Sequence, residues 1–384
     1  MNNHHLETRC IHGNAAFISP DTARAVSFPI YQTSTFGHIG LGQSSGYDYT
    51  REKNPTRQRL EETISVLENA CDTVAFSSGM AAVSACFELF CPGSHIICSE
   101  DLYGGVVRLI RTIGQKNGLA VDYTDTSDME NIEKLLRPDT KALYIETPSN
   151  PMMNITDLHA CAKLAKEHHL LLIVDNTFLS PYLQNPISLG ADIVLHSGSK
   201  FISGHNDTVA GFLSAASPEL AGRIRLIAKT TGGVLSPFDS WLVLRGLKTL
   251  PVRMEQQQKN ARKIAEWLTE QPGIRRVFYA GLPSHSGCQI NQKQARGAGS
   301  MIAFHTSSAA TAHRVLRKVR LITFAESLGG TESLITYPMM QTHPDVPQET
   351  RERLGITETL LRLSVGLEYA DDIIADLSQA LEES

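Results

Sequence analysis

Two short apolar runs each lead into an ionisable side chain. Ala191 to Leu195 continues into His196-Ser197-Gly198-Ser199-Lys200, and Leu170 to Val174 continues into Asp175-Asn176. A lysine amine attacks an aldehyde only when neutral, and desolvation or a nearby cation lowers its pKa toward that state. A carboxylate ending a buried strand must meet a donor, a metal or a cation, because burying it unpartnered is costly. An amine for a Schiff base and a carboxylate for a pyridinium nitrogen are the two groups that pyridoxal 5'-phosphate (PLP) needs. Taken singly, each has a plain alternative. Lys200 would be a solvated loop charge, and Asp175 a carboxylate bonded to backbone.

Other stretches supply matching chemistry. Phe76-Ser77-Ser78-Gly79-Met80-Ala81 runs from a strand pattern through Ser-Ser-Gly into a helix of small residues. Free N–H groups at such a helix start attract phosphate. Ser197 and Ser199 could add hydroxyls to the same anion. Tyr103, in Asp101-Leu102-Tyr103-Gly104-Gly105, could stack on a flat cofactor and relay a proton, or be a half-exposed loop tyrosine. Asn150, between Pro148 and Pro151, could bond a cofactor phenolate from a backbone that the prolines restrain. Arg362 interrupts the apolar run Leu361-Arg362-Leu363-Ser364-Val365. A buried arginine needs a partner, and its planar fork suits a substrate carboxylate; an internal salt bridge is the alternative.

Continuous apolar runs of strand length suit a parallel sheet buried on both faces, where ligands bind beyond the carboxyl ends of the strands. Strands are expected at Thr73–Phe76, His95–Cys98, Ala142–Glu146, Leu170–Val174 and Ile193–Leu195. Helices are expected at Arg57–Leu67, Met80–Phe90, Val106–Lys116, Met129–Leu136 and Leu158–His168. Their alternation predicts a mostly parallel sheet with helices on both faces. Beyond about residue 215 come long helical patterns, Leu220–Lys229 and Trp241–Trp267, broken near Pro237 and Pro251. Shorter pieces follow: strands Val277–Tyr279 and Met301–His305, helices Ala309–Val319 and Ala370–Leu381. The expected organisation is an irregular arm over 1–60, a cofactor domain over 61–240 and a smaller α/β domain over 241–384.

The 384 residues are 42% hydrophobic and 20% charged, with a net charge of -5. That is ordinary globular composition and gives no reason to expect nucleic acid or membrane partners. Seven cysteines without a CxxC pair suggest neither a disulfide frame nor a zinc site. Met1 to Glu7 lacks the basic and apolar regions of a signal peptide, and a cytoplasmic protein is expected.

Seven blocks, in order, carry a resemblance over essentially the whole chain. They are Tyr47-Asp48-Tyr49-Thr50-Arg51 with Asn54-Pro55-Thr56-Arg57; Ser77-Ser78-Gly79-Met80-Ala81; Asp101-Leu102-Tyr103-Gly104-Gly105; and Glu146-Thr147-Pro148-Ser149-Asn150-Pro151. Val174-Asp175-Asn176-Thr177-Phe178 follows, then His196-Ser197-Gly198-Ser199-Lys200 with Gly204-His205, and last Glu326-Ser327-Leu328-Gly329-Gly330 with Arg362-Leu363-Ser364-Val365-Gly366. The chain resembles the PLP enzymes of cysteine and methionine metabolism: cystathionine synthases and lyases, methionine γ-lyase and homoserine-ester sulfhydrylases. The resemblance implies a fold-type I PLP-dependent transferase, with a mostly parallel seven-stranded sheet in the large domain.

It also implies roles. Lys200 would form the Schiff base and move protons, Asp175 would pair the pyridinium, and Tyr103 would stack on the ring. Gly79, Met80, Ser197 and Ser199 would hold the phosphate. Tyr49 and Arg51 would reach the site of a neighbouring subunit in a homotetramer built as a dimer of dimers. Arg362, Ser327 and Asn150 would hold the substrate α-carboxylate. Glu326 stands where synthases and γ-lyases of the family carry glutamate, which favours γ-chemistry. Gly105 replaces the characteristic cysteine of methionine γ-lyase. Glu52 follows Arg51 where enteric γ-synthases have a second arginine, which favours an acetyl over a succinyl ester. Several further blocks, among them Gly233 to Trp241, Ile335-Thr336-Tyr337-Pro338 and Gln341-Thr342-His343, look like Gram-positive cystathionine γ-synthases. The expected reaction is γ-replacement on an O-acylhomoserine by cysteine or sulfide. The alternatives are a cystathionine γ- or β-lyase and, least of all, a non-catalytic binding relative.

Overall fold

The computed structural model describes residues 4–13 and 24–382. Seven of the described strands form the larger sheet. They are β1 (Asp72–Phe76), β2 (His95–Ser99), β3 (Ala120–Thr124), β4 (Thr140–Glu146), β5 (Leu171–Asp175), β6 (Ile193–Ser197) and β7 (Gly211–Ala215). Their spatial order is β1-β7-β6-β5-β4-β2-β3. The pairs joining β6, β5, β4, β2 and β3 are parallel, and β7 runs antiparallel to both β1 and β6. β2, β4, β5 and β6 are almost wholly buried because helices cover both faces. On one face, Gly79–Phe87 and Pro218–Thr231 close an apolar cluster around Val74, Ile96, Tyr144, Ile173 and Leu195. On the other, Leu158–Glu167 packs over Ile97, Leu143, Leu172 and Val194. The alternation of these residues between clusters is the period of two that a strand imposes.

The smaller sheet contains β8 (Ile274–Phe278), β9 (Met301–Thr306), β10 (Thr323–Phe324), β11 (Leu334–Thr336) and β12 (Leu360–Ser364), in the order β10-β11-β12-β9-β8. Helices Leu250–Thr269, Ala309–Lys318 and Ala370–Leu381 bury its apolar face. No described helix is long and apolar enough to cross a membrane.

Most expected elements occur within two or three residues of their expected ends. Met129–Glu133 is three residues shorter than expected, and the expected helix over 106–116 is Gly104–Leu109 continued by a π-turn, Ile110–Gly114. In the larger sheet β3 and β7 went unanticipated, and in the smaller one β10, β11 and β12. β3 is a half-buried edge strand containing Asp122, and β7 is short and begins with glycine, so neither has a long apolar run. The arm is not irregular throughout. Leu6–His12 is a helix that buries Cys10 and sends Arg9 to the Val66 carbonyl at 3.0 Å. Residues 1–3 and 14–23 lie outside the described residues. From Arg24 to Lys53 the chain has turns and isolated bridges, Thr35 to Tyr49 and Gly40 to Gln43. Asn54 then caps helix Pro55–Glu68, accepting from the Thr56 N–H at 2.9 Å, with Pro55 at the first helical position.

Candidate active site

The carboxyl ends of the parallel strands open on a cavity of about 610 Å³. Most of these strands deliver groups to its wall. After β1, Ser78 caps helix Gly79–Phe87, its Oγ accepting from the Ala81 N–H at 3.0 Å, so Gly79 and Met80 sit at the helix start. β2 leads to Tyr103, β4 ends at Glu146 and leads to Asn150, β5 ends at Asp175, and β6 ends at Ser197 just before Ser199 and Lys200. The smaller sheet supplies Arg362 from β12, with Glu326 and Ser327 from the turn before β11.

Lys200 Nζ donates to Ser327 Oγ at 2.9 Å. Burial, helped by the charge of Arg362 and opposed by Glu326, pulls the lysine pKa from 10.5 to about 8. The amine is thereby moved toward the neutral, nucleophilic form. Ser327 has φ +91°, a left-handed backbone disfavoured for a residue with a Cβ. Its neighbours hold it there: its hydroxyl takes the lysine, and its carbonyl accepts from Arg362 NH2 at 3.1 Å. Arg362 NH1 donates to Asn150 Oδ1 at 2.7 Å, and NH2 also reaches Thr336 Oγ1 at 3.2 Å. Its Nε is buried and finds no partner among the described residues. Burial lowers the Arg362 pKa to about 10, so the guanidinium stays charged at neutral pH.

Asp175 receives both of its hydrogen bonds on Oδ1, from the Thr177 N–H at 3.0 Å and the Thr177 hydroxyl at 2.6 Å. Glu146 stands beside it in the register of β4 and β5 and accepts the Tyr103 N–H at 3.1 Å. Burial raises both carboxyl pKa values. Glu146 is raised further because the Asp175 charge adjoins it, while the Thr177 bonds favour ionised Asp175. A Cβ placed on Gly79 would come within 2.9 Å of the Ser197 Cβ, so this glycine leaves room between the helix start and β6. Ser199 Oγ accepts from the Ala210 N–H at 3.0 Å and reaches the Ala210 carbonyl at 3.3 Å, which ties the Lys200 turn to the segment before β7.

Eleven of the residues singled out in the sequence line this one cavity: Gly79, Met80, Tyr103, Asn150, Asp175, Ser197, Ser199, Lys200, Glu326, Ser327 and Arg362. Tyr49 and Arg51 do not. Tyr49 is 44% exposed, and Arg51 bonds the Lys229 carbonyl at 2.5 Å beside a separate cleft. Sequence reasoning missed the direct roles of Glu146, Thr177 and Thr342 in the wall. Glu146 ends an apolar strand just as Asp175 does, and that signal could have found it.

A model of the family described as Cys/Met metabolism PLP-dependent enzyme matches residues 7–382. The chain belongs to this family. It is 50% identical over 364 residues to a cystathionine gamma-synthase of Haemophilus influenzae, covering 94% of each chain. It is 47% identical over 379 residues to a cystathionine beta-lyase of Lactococcus lactis subsp. cremoris, covering 98% of this chain and 99% of the relative. The crystal structure of cystathionine gamma-lyase from Lactobacillus plantarum complexed with L-serine superposes with a TM-score of 0.96 at 42% identity, covering 98% of both chains.

The family's cofactor fits the cavity. Asp175 Oδ2 accepts no hydrogen bond from a described residue, which leaves an acceptor for a pyridinium N–H. Gly79 provides the cradle a phosphate needs at a helix start, and Lys200 places a partly neutral amine across the same space.

Proposed function

We propose that this chain catalyses γ-replacement on an O-acylhomoserine, O-acetylhomoserine above all, with cysteine or sulfide giving cystathionine or homocysteine. The reading is carried by Glu326, which lines the Lys200 cavity and precedes the serine that holds the lysine amine. A carboxylate there attracts an amino group on an incoming thiol compound, and its charge keeps Lys200 basic enough to take up a proton.

Bound PLP supplies the electron sink for charge developing at the substrate Cα. Asp175 holds the proton at the pyridine nitrogen, Tyr103 covers the ring, and Gly79, Met80, Ser197 and Ser199 hold the phosphate. Arg362, Ser327 and Asn150 orient the α-carboxylate. Lys200 Nζ takes the Cα proton and moves protons along the chain toward Cγ. Tyr49 and Arg51 complete the site of a second copy in a homotetramer of two dimers. Val26, Ile39 and Leu41 support that assembly, being 85%, 78% and 105% exposed on the same arm as Tyr49. A cytoplasmic location suits an enzyme of small amino acids.

A second reading is C–S elimination from cystathionine to 2-oxobutanoate or pyruvate with ammonia, favoured by the similarity to a beta-lyase at 47% identity. The purified enzyme incubated with O-acetylhomoserine and cysteine separates the two. Cystathionine forming faster than 2-oxobutanoate supports replacement. Oxo acid forming from cystathionine alone, with no replacement product, refutes it.

A further inference from the structure

We propose that His343 is a positioning residue that sets Asn150, and through it the Arg362 guanidinium, in the geometry that receives the substrate carboxylate. The inference rests on the reading of Arg362 as the carboxylate ligand. His343 is 1% exposed and is not among the residues that line the cavity, so its effect must pass through a neighbour. Its Nε2 lies 2.9 Å from the Asn150 carbonyl oxygen. A carbonyl only accepts, so Nε2 carries the proton. Its Nδ1 lies 2.7 Å from Thr342 Oγ1, and in the neutral ring the hydroxyl donates to it. One neutral tautomer thus makes both bonds, and the Leu102 carbonyl also faces the ring. Burial and the adjacent Arg362 charge favour that form, lowering the pKa to about 4.

The other end of Asn150 holds Arg362, with Oδ1 accepting from NH1 at 2.7 Å. Asn150 belongs to the loop after β4 of the larger sheet, whereas Arg362 lies on β12 of the smaller one. The Asn150–Arg362 contact therefore bridges the two sheets, and His343 is the second bond across the same seam. The segment carrying His343 is itself seated. The Thr342 carbonyl lies against Gly104, where a Cβ would collide with it. Asp345 pairs with Arg108 at 2.5 Å, and its carbonyl accepts from Arg111 at 3.1 Å. Without the imidazole N–H, the Asn150 carbonyl is buried unpaired. The loop then relaxes, and the fork of Arg362 turns with it.

The test compares holoenzyme carrying His343→Phe, which keeps a ring of similar size and loses both bonds, with His343→Gln, which can return an N–H to the Asn150 carbonyl. KM and kcat are measured alongside the dissociation constant of glycine, an amino acid with no γ-leaving group, read from the change in cofactor absorbance. Arg362→Lys is run in parallel. The expected result for His343→Phe is a rise of about tenfold in both KM and the glycine constant, the size of one lost hydrogen bond, with a smaller change in kcat. His343→Gln should recover to within roughly threefold of the parent. The inference is overturned if folded, cofactor-loaded His343→Phe leaves both constants near the parent values while Arg362→Lys raises them. If Arg362→Lys leaves both unchanged, the carboxylate reading itself fails. Should His343→Phe not fold, His343→Asn takes its place, since its side chain is too short to reach Asn150. Asparagine and glutamine variants of equal affinity would then overturn the inference.

Discussion

Replacing Lys200 by methionine should stabilise the cofactor-free protein at neutral pH. Its amine is buried, its hydrogen-bond partner is the neutral Ser327 hydroxyl, and its pKa falls from 10.5 to about 8, mainly through burial. At about 1.4 kcal/mol per pH unit, that fall corresponds to about 3 kcal/mol of cost while the amine is charged. Methionine of similar length removes the charge and loses the Ser327 bond, worth about 1 kcal/mol, leaving a net gain of about 2 kcal/mol. The pH dependence fixes the cause. Below about 8 both folded and unfolded chains hold the proton, and the whole cost is present. Between about 8 and 10.5 the folded chain gives it up first, so parent stability rises with pH and the gap to the variant closes. Urea unfolding of both cofactor-free proteins at pH 7 and pH 9.5, at one protein concentration, measures this. A variant less stable than the parent at pH 7, or a gap that does not change with pH, would refute the reasoning.

Gly79→Ala should weaken cofactor binding at least about tenfold, because its Cβ meets Ser197 at 2.9 Å; titration of the cofactor-free protein with PLP checks it, and unchanged affinity would remove the cradle argument. Arg225→Met strips a partner from Glu61, a buried carboxylate that Arg225 NH1 approaches at 3.2 Å. A loss of about 3 kcal/mol is expected in urea unfolding, part of it restored by adding Glu61→Gln while the Asp72 pair stays lost; no restoration would place the whole loss at Asp72. Leu41→Glu should lower the solution mass measured by light scattering, since the exposed arm is proposed to meet a second copy. An unchanged mass would exclude Leu41 from any subunit contact.

The groups easiest to read in the sequence were those at strand ends. Asp175 and Lys200 follow unbroken apolar runs, so their placement on one rim follows from parallel pairing alone, and the cavity holds both. Arg362 was legible for a related reason: a charge inside the run of β12 had to meet something, and it meets Asn150, Ser327 and Thr336. His343 stands in the sequence within Gln341-Thr342-His343, with nothing beside it to mark its partners. Its work lies in two bonds, to its own neighbour and to a residue far back in the chain, which leave no local pattern. β7 was illegible because its identity as a strand comes from pairing with β1 and β6 rather than from Gly211-Phe212-Leu213-Ser214-Ala215 itself. Tyr49 and Arg51 are a different case. Within one chain they do not line the cavity, and under the proposed assembly they would serve the site of a second copy.

The position of β1 has a kinetic consequence. It is the first strand of the larger sheet in the chain, yet among the described residues its one strand partner is β7, the last, with Asp72 set against Ala215. During synthesis β1 must wait until Gly211–Ala215 has been made before it can close its ladder. Until then the edge of β1 that β7 covers stays open, and its other edge is met later still, by the Phe76–Val234 bridge. Pairings this distant in sequence are slow to form, and an unpaired strand is the species most open to wrong partners. Aggregation during overproduction should therefore respond to changes in Gly211–Ala215 more sharply than the stability of the finished enzyme does.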